Sequence, residues 1–191
     1  MTYFIVEASH LFRAGDKFQT QFFVADVVSF LNREYFDSRE SKTIVLHGSV
    51  KAEQGDRYAA ALERHDVQVI RMKPIASMTG DGKWYFKPTW YMHRMMGTDI
   101  PKGSAVVLIG FHNPRYQTFL EKYAKDFDLS MAAFATPSRK QGIMRIPEIF
   151  KPSLKHAIDL DVYASKIKAE FRRGRERKPS DDQGLDGHQS R

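Results

Sequence analysis

Cysteine is absent from all 191 residues. That excludes disulfide frameworks, thiolate zinc sites and a cysteine nucleophile. Long apolar runs are absent as well, and nothing approaches the ~18 residues needed to span a bilayer. The N-terminal run Tyr3-Phe4-Ile5-Val6 is too short, and lacks the basic flank, for a secretory signal. The expectation is a soluble, cytoplasmic protein with no membrane partner. Phosphate-cradling glycine loops are missing too: neither G-x-G-x-x-G nor G-x-x-x-x-G-K-[ST] occurs, which argues against ordinary dinucleotide or P-loop nucleotide binding. There is no H-E-x-x-H pair for a zinc hydrolase and no G-x-S-x-G nucleophile elbow.

Positive charge is what the chain has in excess. Thirty Lys and Arg face 23 Asp and Glu, for a formal net charge of +7. This balance suits a polyanionic partner. The excess is concentrated near the C-terminus: residues 166–178 carry seven Lys or Arg against two Glu, while the last thirteen residues carry three Asp and one Arg. The expected organisation is one α/β domain over 1–165 and a basic, then acidic, tail over 166–191 whose end lacks the apolar content to fold.

Short apolar runs alternate with amphipathic stretches, the pattern of a mostly parallel sheet covered on both faces. Strands are expected at Tyr3–Val6, Lys42–His47, Val67–Met72, Ser104–Gly110 and Leu129–Ala135, with a short final one at Arg145-Ile146. Ser104–Gly110 is the most hydrophobic and belongs at the centre. Val67–Met72 alternates in a way that suits an edge. Helices are expected over Thr20–Tyr35, Asp56–His65, Pro88–Met96 and from Asn113-Pro114 to about Asp126, the last two opening on proline. Right-handed crossovers between such strands build a three-layer sandwich. Its functional crevice lies outside the carboxyl ends of the strands.

The strand ends supply Glu7 through His10, His47-Gly48-Ser49, Lys73-Pro74, Phe111-His112-Asn113 and Thr136-Pro137-Ser138. Glu7 is a candidate metal ligand, and His10 and His112 are candidate acid and base, since imidazole titrates near neutral pH. A solvated, salt-bridged acid at a strand end is the simpler alternative for Glu7. The stretch Lys83–Arg94, KWYFKPTWYMHR, interleaves aromatics with Lys83, Lys87 and Arg94. Rings stack unpaired bases and cations hold phosphates, as a single-strand platform requires. The same rings also suit a core. Further candidate phosphate contacts are Asn113, Arg115, Arg139, Lys140, and the tail cations Arg172, Arg173, Arg175, Arg177 and Lys178.

This layout resembles the NYN domains of the PIN-like nuclease superfamily over roughly residues 2–167. In that family the first strand ends in an aspartate, followed three residues later by an asparagine and two hydrophobics. Here the matching stretch is Glu7-Ala8-Ser9-His10-Leu11-Phe12. The Tyr-Gly turn after the second strand is matched by His47-Gly48. The family's lysine and helix aspartate correspond to Lys87 and Trp90. Its acidic motif after the strongest strand corresponds to Phe111-His112-Asn113-Pro114-Arg115-Tyr116, which contains no acid. The resemblance implies a PIN-like fold, RNA as ligand class and Mg²⁺ or Mn²⁺ as family cofactor. The replaced acids imply a degenerate site, with no cofactor expected.

Three functions follow as expectations. The first is RNA or single-stranded nucleic-acid binding without catalysis. The second is a metal-dependent or His-assisted ribonuclease built on Glu7, with Mg²⁺ or Mn²⁺ if it is active. The third is a protein-interaction scaffold that uses a sheet edge or the tail.

Overall fold

The computed structural model describes residues 1–20, 22–48, 67–72, 88–138 and 142–169. Six described strands form one sheet: β1 (Thr2–Glu7), β2 (Ser41–Gly48), β3 (Gln68–Met72), β4 (Ala105–Ile109), β5 (Asp128–Ala133) and β8 (His156–Asp159). Their order is β3-β2-β1-β4-β5-β8, and every pairing within it is parallel. A small antiparallel ribbon, β6 (Thr136–Ser138) with β7 (Gly142–Met144), stands apart.

Alternation along the strands explains the layers. Phe4, Val6, Val45, Val107, Ile109 and Ala132 face a core shared with α1 (Ala8–Phe18) and α2 (Val24–Leu31). Tyr3, Ile5, Ile44, Leu46, Val106 and Leu108 face the opposite core, shared with α3 (Pro88–Arg94) and α4 (Gln117–Tyr123). A strand buried on both faces must be apolar at consecutive positions, as β1 and β4 are. Each fully buried Leu, Ile, Val or Phe contributes about 1.5–3 kcal/mol, so the two cores, not the polar contacts, hold the sandwich together. The expected α/β three-layer architecture is thus the observed one, with β4 inside the sheet and β3 at its edge.

Several expected boundaries are corrected. Residues 8–18 are helical, so Ala8 to His10, expected in a strand-end loop, instead open a helix. Ala8, Leu11 and Ala14 recur at helical spacing and are buried, so α1 docks on the sheet directly from β1. The helix expected over 20–35 is shorter: α2 spans Val24–Leu31 and runs into a π-type turn, Asn32–Phe36, closed by Asp37 at φ 41°. α3 likewise gives way to a π-type turn at Met95–Asp99. A 3-10 turn, Pro114–Tyr116, precedes α4, which ends at Tyr123, short of Asp126. Ala133 ends β5, and the residues after it turn away into the ribbon, where Gly142–Met144 replaces the strand expected at Arg145-Ile146. Residues 164–169 are helical. The helix expected at Asp56–His65 and nearly all of the expected tail lie outside the described residues. No described helix is long and apolar enough to cross a membrane.

Candidate functional site at the switch point

β1 sends its crossover to β2 on one side, and β4 sends its own to β5 on the other. The carboxyl ends of β1 and β4 therefore flank the switch point, where open α/β sheets form their binding crevice. Register sets the two ends level, with Val6 opposite Ile109. Glu7 to His10 arrive from one strand and Gly110 to Arg115 from the other.

Glu7 is the last residue of β1 and the residue before α1. Its carboxylate accepts a hydrogen bond from the Ser9 hydroxyl and lies 3.6 Å from the Arg13 guanidinium. Arg13 also donates to Ser9 Oγ at 3.3 Å. Ser9 and Arg13 are one helical turn apart on α1, which brings both to the acid. The Arg13 and Glu7 side chains are 38% and 27% exposed, so the pair contributes no more than about 1 kcal/mol. Its larger consequence is chemical: a guanidinium beside the carboxylate repels a metal cation and partly neutralises the charge that would attract one. Among the described residues, no three His, Asp or Glu side chains gather as a metal site.

His10 and His112 are brought together but sealed. Both are buried, and their rings meet edge-to-face with centroids 5.1 Å apart. His10 Nε2 accepts the Phe134 backbone N–H at 2.9 Å, which puts the proton of a neutral ring on Nδ1. His112 Nε2 lies 3.1 Å from the Thr136 hydroxyl. The Nδ1 atom of His10 is buried without a partner. Burial drives the His10 pKa well below its ordinary value, and the charges of His112 and Arg13 add to this. Burial, then Arg13, lowers His112 to about 4, opposed weakly by the Gly110 backbone. Both rings are therefore neutral at pH 7 and shielded from a bound substrate. Tyr116 is buried as well: burial, and secondarily the Glu7 charge, raise the pKa of its hydroxyl.

The rim is different. Asn113 caps the 3-10 turn by accepting the Arg115 N–H at 3.0 Å, with Pro114 at the first helical position. Asn113, Pro114 and Arg115 are exposed. Arg94 and Trp90 are exposed on α3, the indole at 50%. Of the two readings of Trp90, core or surface, the structure selects surface. Lys83, Lys87, Arg139, Lys140, Arg172, Arg173, Arg175, Arg177 and Lys178 lie outside the described residues. Ser9, Arg13, Gly110 and Tyr116 join the site without any signal in the sequence alone; the Ser9/Arg13 spacing of four becomes a signal only once residues 8–18 are helical. A separate groove of ≈ 560 Å³ runs along α1 through Leu11, Phe12 and Phe22. None of the strand-end residues above lines it.

No family model matches the chain, and no curated protein matches it. Among solved structures, the crystal structure of a protein of unknown function from Vibrio parahaemolyticus RIMD 2210633 is similar, with a TM-score of 0.51. The match covers 84% of this chain and 92% of that one at 9% identity. Identity this low speaks to the fold alone.

Proposed function

We propose that this protein binds nucleic acid, RNA in the first instance, at the switch-point crevice of a nuclease-like domain whose metal-binding acids have been replaced. The observation that carries the reading is the state of Glu7. Its carboxylate is tied to Ser9 and Arg13, and the facing segment 110–115 brings no second acid but an exposed Arg115. Mg²⁺ and Mn²⁺ require several hard oxygen ligands. One carboxylate already paired with a guanidinium does not fit that requirement, whereas guanidinium groups at a rim suit phosphate. The sealed imidazoles likewise support binding over acid–base hydrolysis.

Titrating a fluorescent single-stranded RNA at 50 mM salt tests this. Saturable binding that weakens steeply at higher salt is expected. Incubating labelled RNA with the protein, with Mn²⁺ or a chelator, tests the nuclease alternative: cleavage abolished by Glu7→Gln would replace the binding reading. The scaffold alternative rests on β3 as the edge of the described sheet, open to strand addition. An absence of any nucleic-acid affinity, with concentration-dependent mass by light scattering, would favour it.

A further inference from the structure

The exposed indole of Trp90 is unusual among the aromatics of this chain, most of whose described rings are wholly or partly buried in the two cores. Its helix explains the position. Met92, Met95 and Met96 are buried against the sheet, while Trp90 and Arg94, four residues apart, share the opposite, exposed face. Trp90 packs edge-on against Tyr91, with centroids 5.0 Å apart. Half of the indole's surface stays open.

Topology brings the N-terminal turn of this helix to the crevice end of the sheet. α3 leads into β4 and α4 leads from β4 to β5, and both helices cross back beside parallel strands. Their N-terminal turns therefore lie toward the carboxyl ends of the strands. The two helices are neighbours: His93 Nδ1 is 3.0 Å from the Tyr123 hydroxyl, and its ring meets Phe119 at 5.0 Å. Trp90 stands about one turn before His93, and Arg115 about one turn before Phe119. Both are thus displaced toward the same end. Arg94 and Arg115 are exposed and make no ion pair among the described residues, a state they share with Arg39, Lys42, Lys122, Lys125 and Lys166.

The geometry points to Trp90 as a base-stacking platform for single-stranded nucleic acid, with Arg94 and Arg115 holding the phosphates on either side. This rests on the nucleic-acid reading above and narrows it: the ligand must present unpaired bases, because an indole face stacks on a splayed base and not on one inside a duplex.

The test uses the full chain carrying Trp84→Phe, so that Trp90 is the only indole. Single-stranded oligouridylate is expected to quench its fluorescence saturably. By anisotropy, Trp90→Ala is expected to weaken oligouridylate binding about tenfold and Trp90→Phe no more than about threefold, since stacking needs a ring but not an indole. Affinity for an RNA duplex should change less than about twofold in both. Because the side chain is exposed, Tm should stay unchanged. Equal affinity of wild type and Trp90→Ala for oligouridylate would overturn the stacking assignment and leave nucleic-acid binding standing. Equal losses on single strand and duplex would also overturn it. No binding by the wild type to either RNA would sink both readings together.

Discussion

A β-carbon on Gly110 would lie 2.5 Å from both Cβ and Cγ of His10. The turn that leaves β4 and the first turn of α1 meet only because one of them carries no side chain. Gly110 also holds φ +88°, a region that other residues enter at a cost. Its N–H is fixed as well, donating to the Ala132 carbonyl at 2.9 Å. Gly110→Ala is therefore expected to cost about 2–4 kcal/mol of stability, from strain and a clash that rigid backbone cannot relieve. Gly97 is the control: nothing lies within 4 Å of its absent Cβ, and Gly97→Ala should stay within about 1 kcal/mol of wild type. Urea denaturation measures both, and equal losses would contradict the packing described.

The sealed imidazoles make stability depend on pH in one direction. In the unfolded chain His112 takes up a proton below its ordinary value of 6.5, while in the folded protein it resists until about 4. Between those values the unfolded state binds more protons, so stability falls as pH drops from about 6.5 to about 4. His112 alone supplies about 3 kcal/mol of this fall. His10, lowered for the same main reason, acts in the same direction. The urea midpoint should therefore decline over this window, and His112→Gln should flatten the decline. A midpoint that rises on acidification would refute the burial account.

Glu7→Gln separates the two chemistries available to the crevice. The substitution removes a negative charge beside the proposed phosphate path and releases Arg13 from its ion pair. Single-stranded RNA should bind about two- to fivefold more tightly, the size expected of one partly exposed charge. Weaker binding would mean that the carboxylate contributes directly, through a metal or a ligand hydroxyl.

Asp161 fastens the chain where it leaves β5. Its carboxylate accepts the Ala135 N–H at 3.1 Å and pairs with Lys17, whose ammonium also donates to the Ala135 carbonyl at 3.2 Å. The exit of β5 is thus tied to the last turn of α1. Asp161→Ala leaves a backbone donor without its acceptor and should cost about 1–3 kcal/mol. Lys17→Met should cost less than about 1 kcal/mol. Thermal unfolding of the two variants gives the order.

The sheet was readable from composition because strands buried on both faces must be apolar at consecutive positions, and Val106 to Ile109 could hardly be anything else. The edge position of β3 was readable from its alternation. α1 is not, because its cap and first residues are Glu7-Ala8-Ser9-His10, whose polar side chains resemble a loop until Ala8, Leu11 and Ala14 are seen to share a buried face. His10 and His112 stand at strand ends as candidate chemical groups, yet their neighbours bury them. The partner of His10 is the backbone of Phe134, 124 residues away, and no local pattern announces such a contact. Trp90 had two possible fates from sequence, and only the packing of the methionines beside it shows which face turned outward.

The central claim is that the switch-point rim holds the phosphates of single-stranded RNA, and Arg115→Glu in the full chain tests it most directly. Anisotropy with a labelled single strand between 50 and 200 mM salt gives affinity and salt slope together. The account predicts roughly a tenfold loss at 50 mM salt and a slope shallower by about 0.7 for each phosphate contact removed. An Arg115→Glu protein that binds with wild-type affinity and slope would contradict it, and would move any nucleic-acid contact away from the crevice.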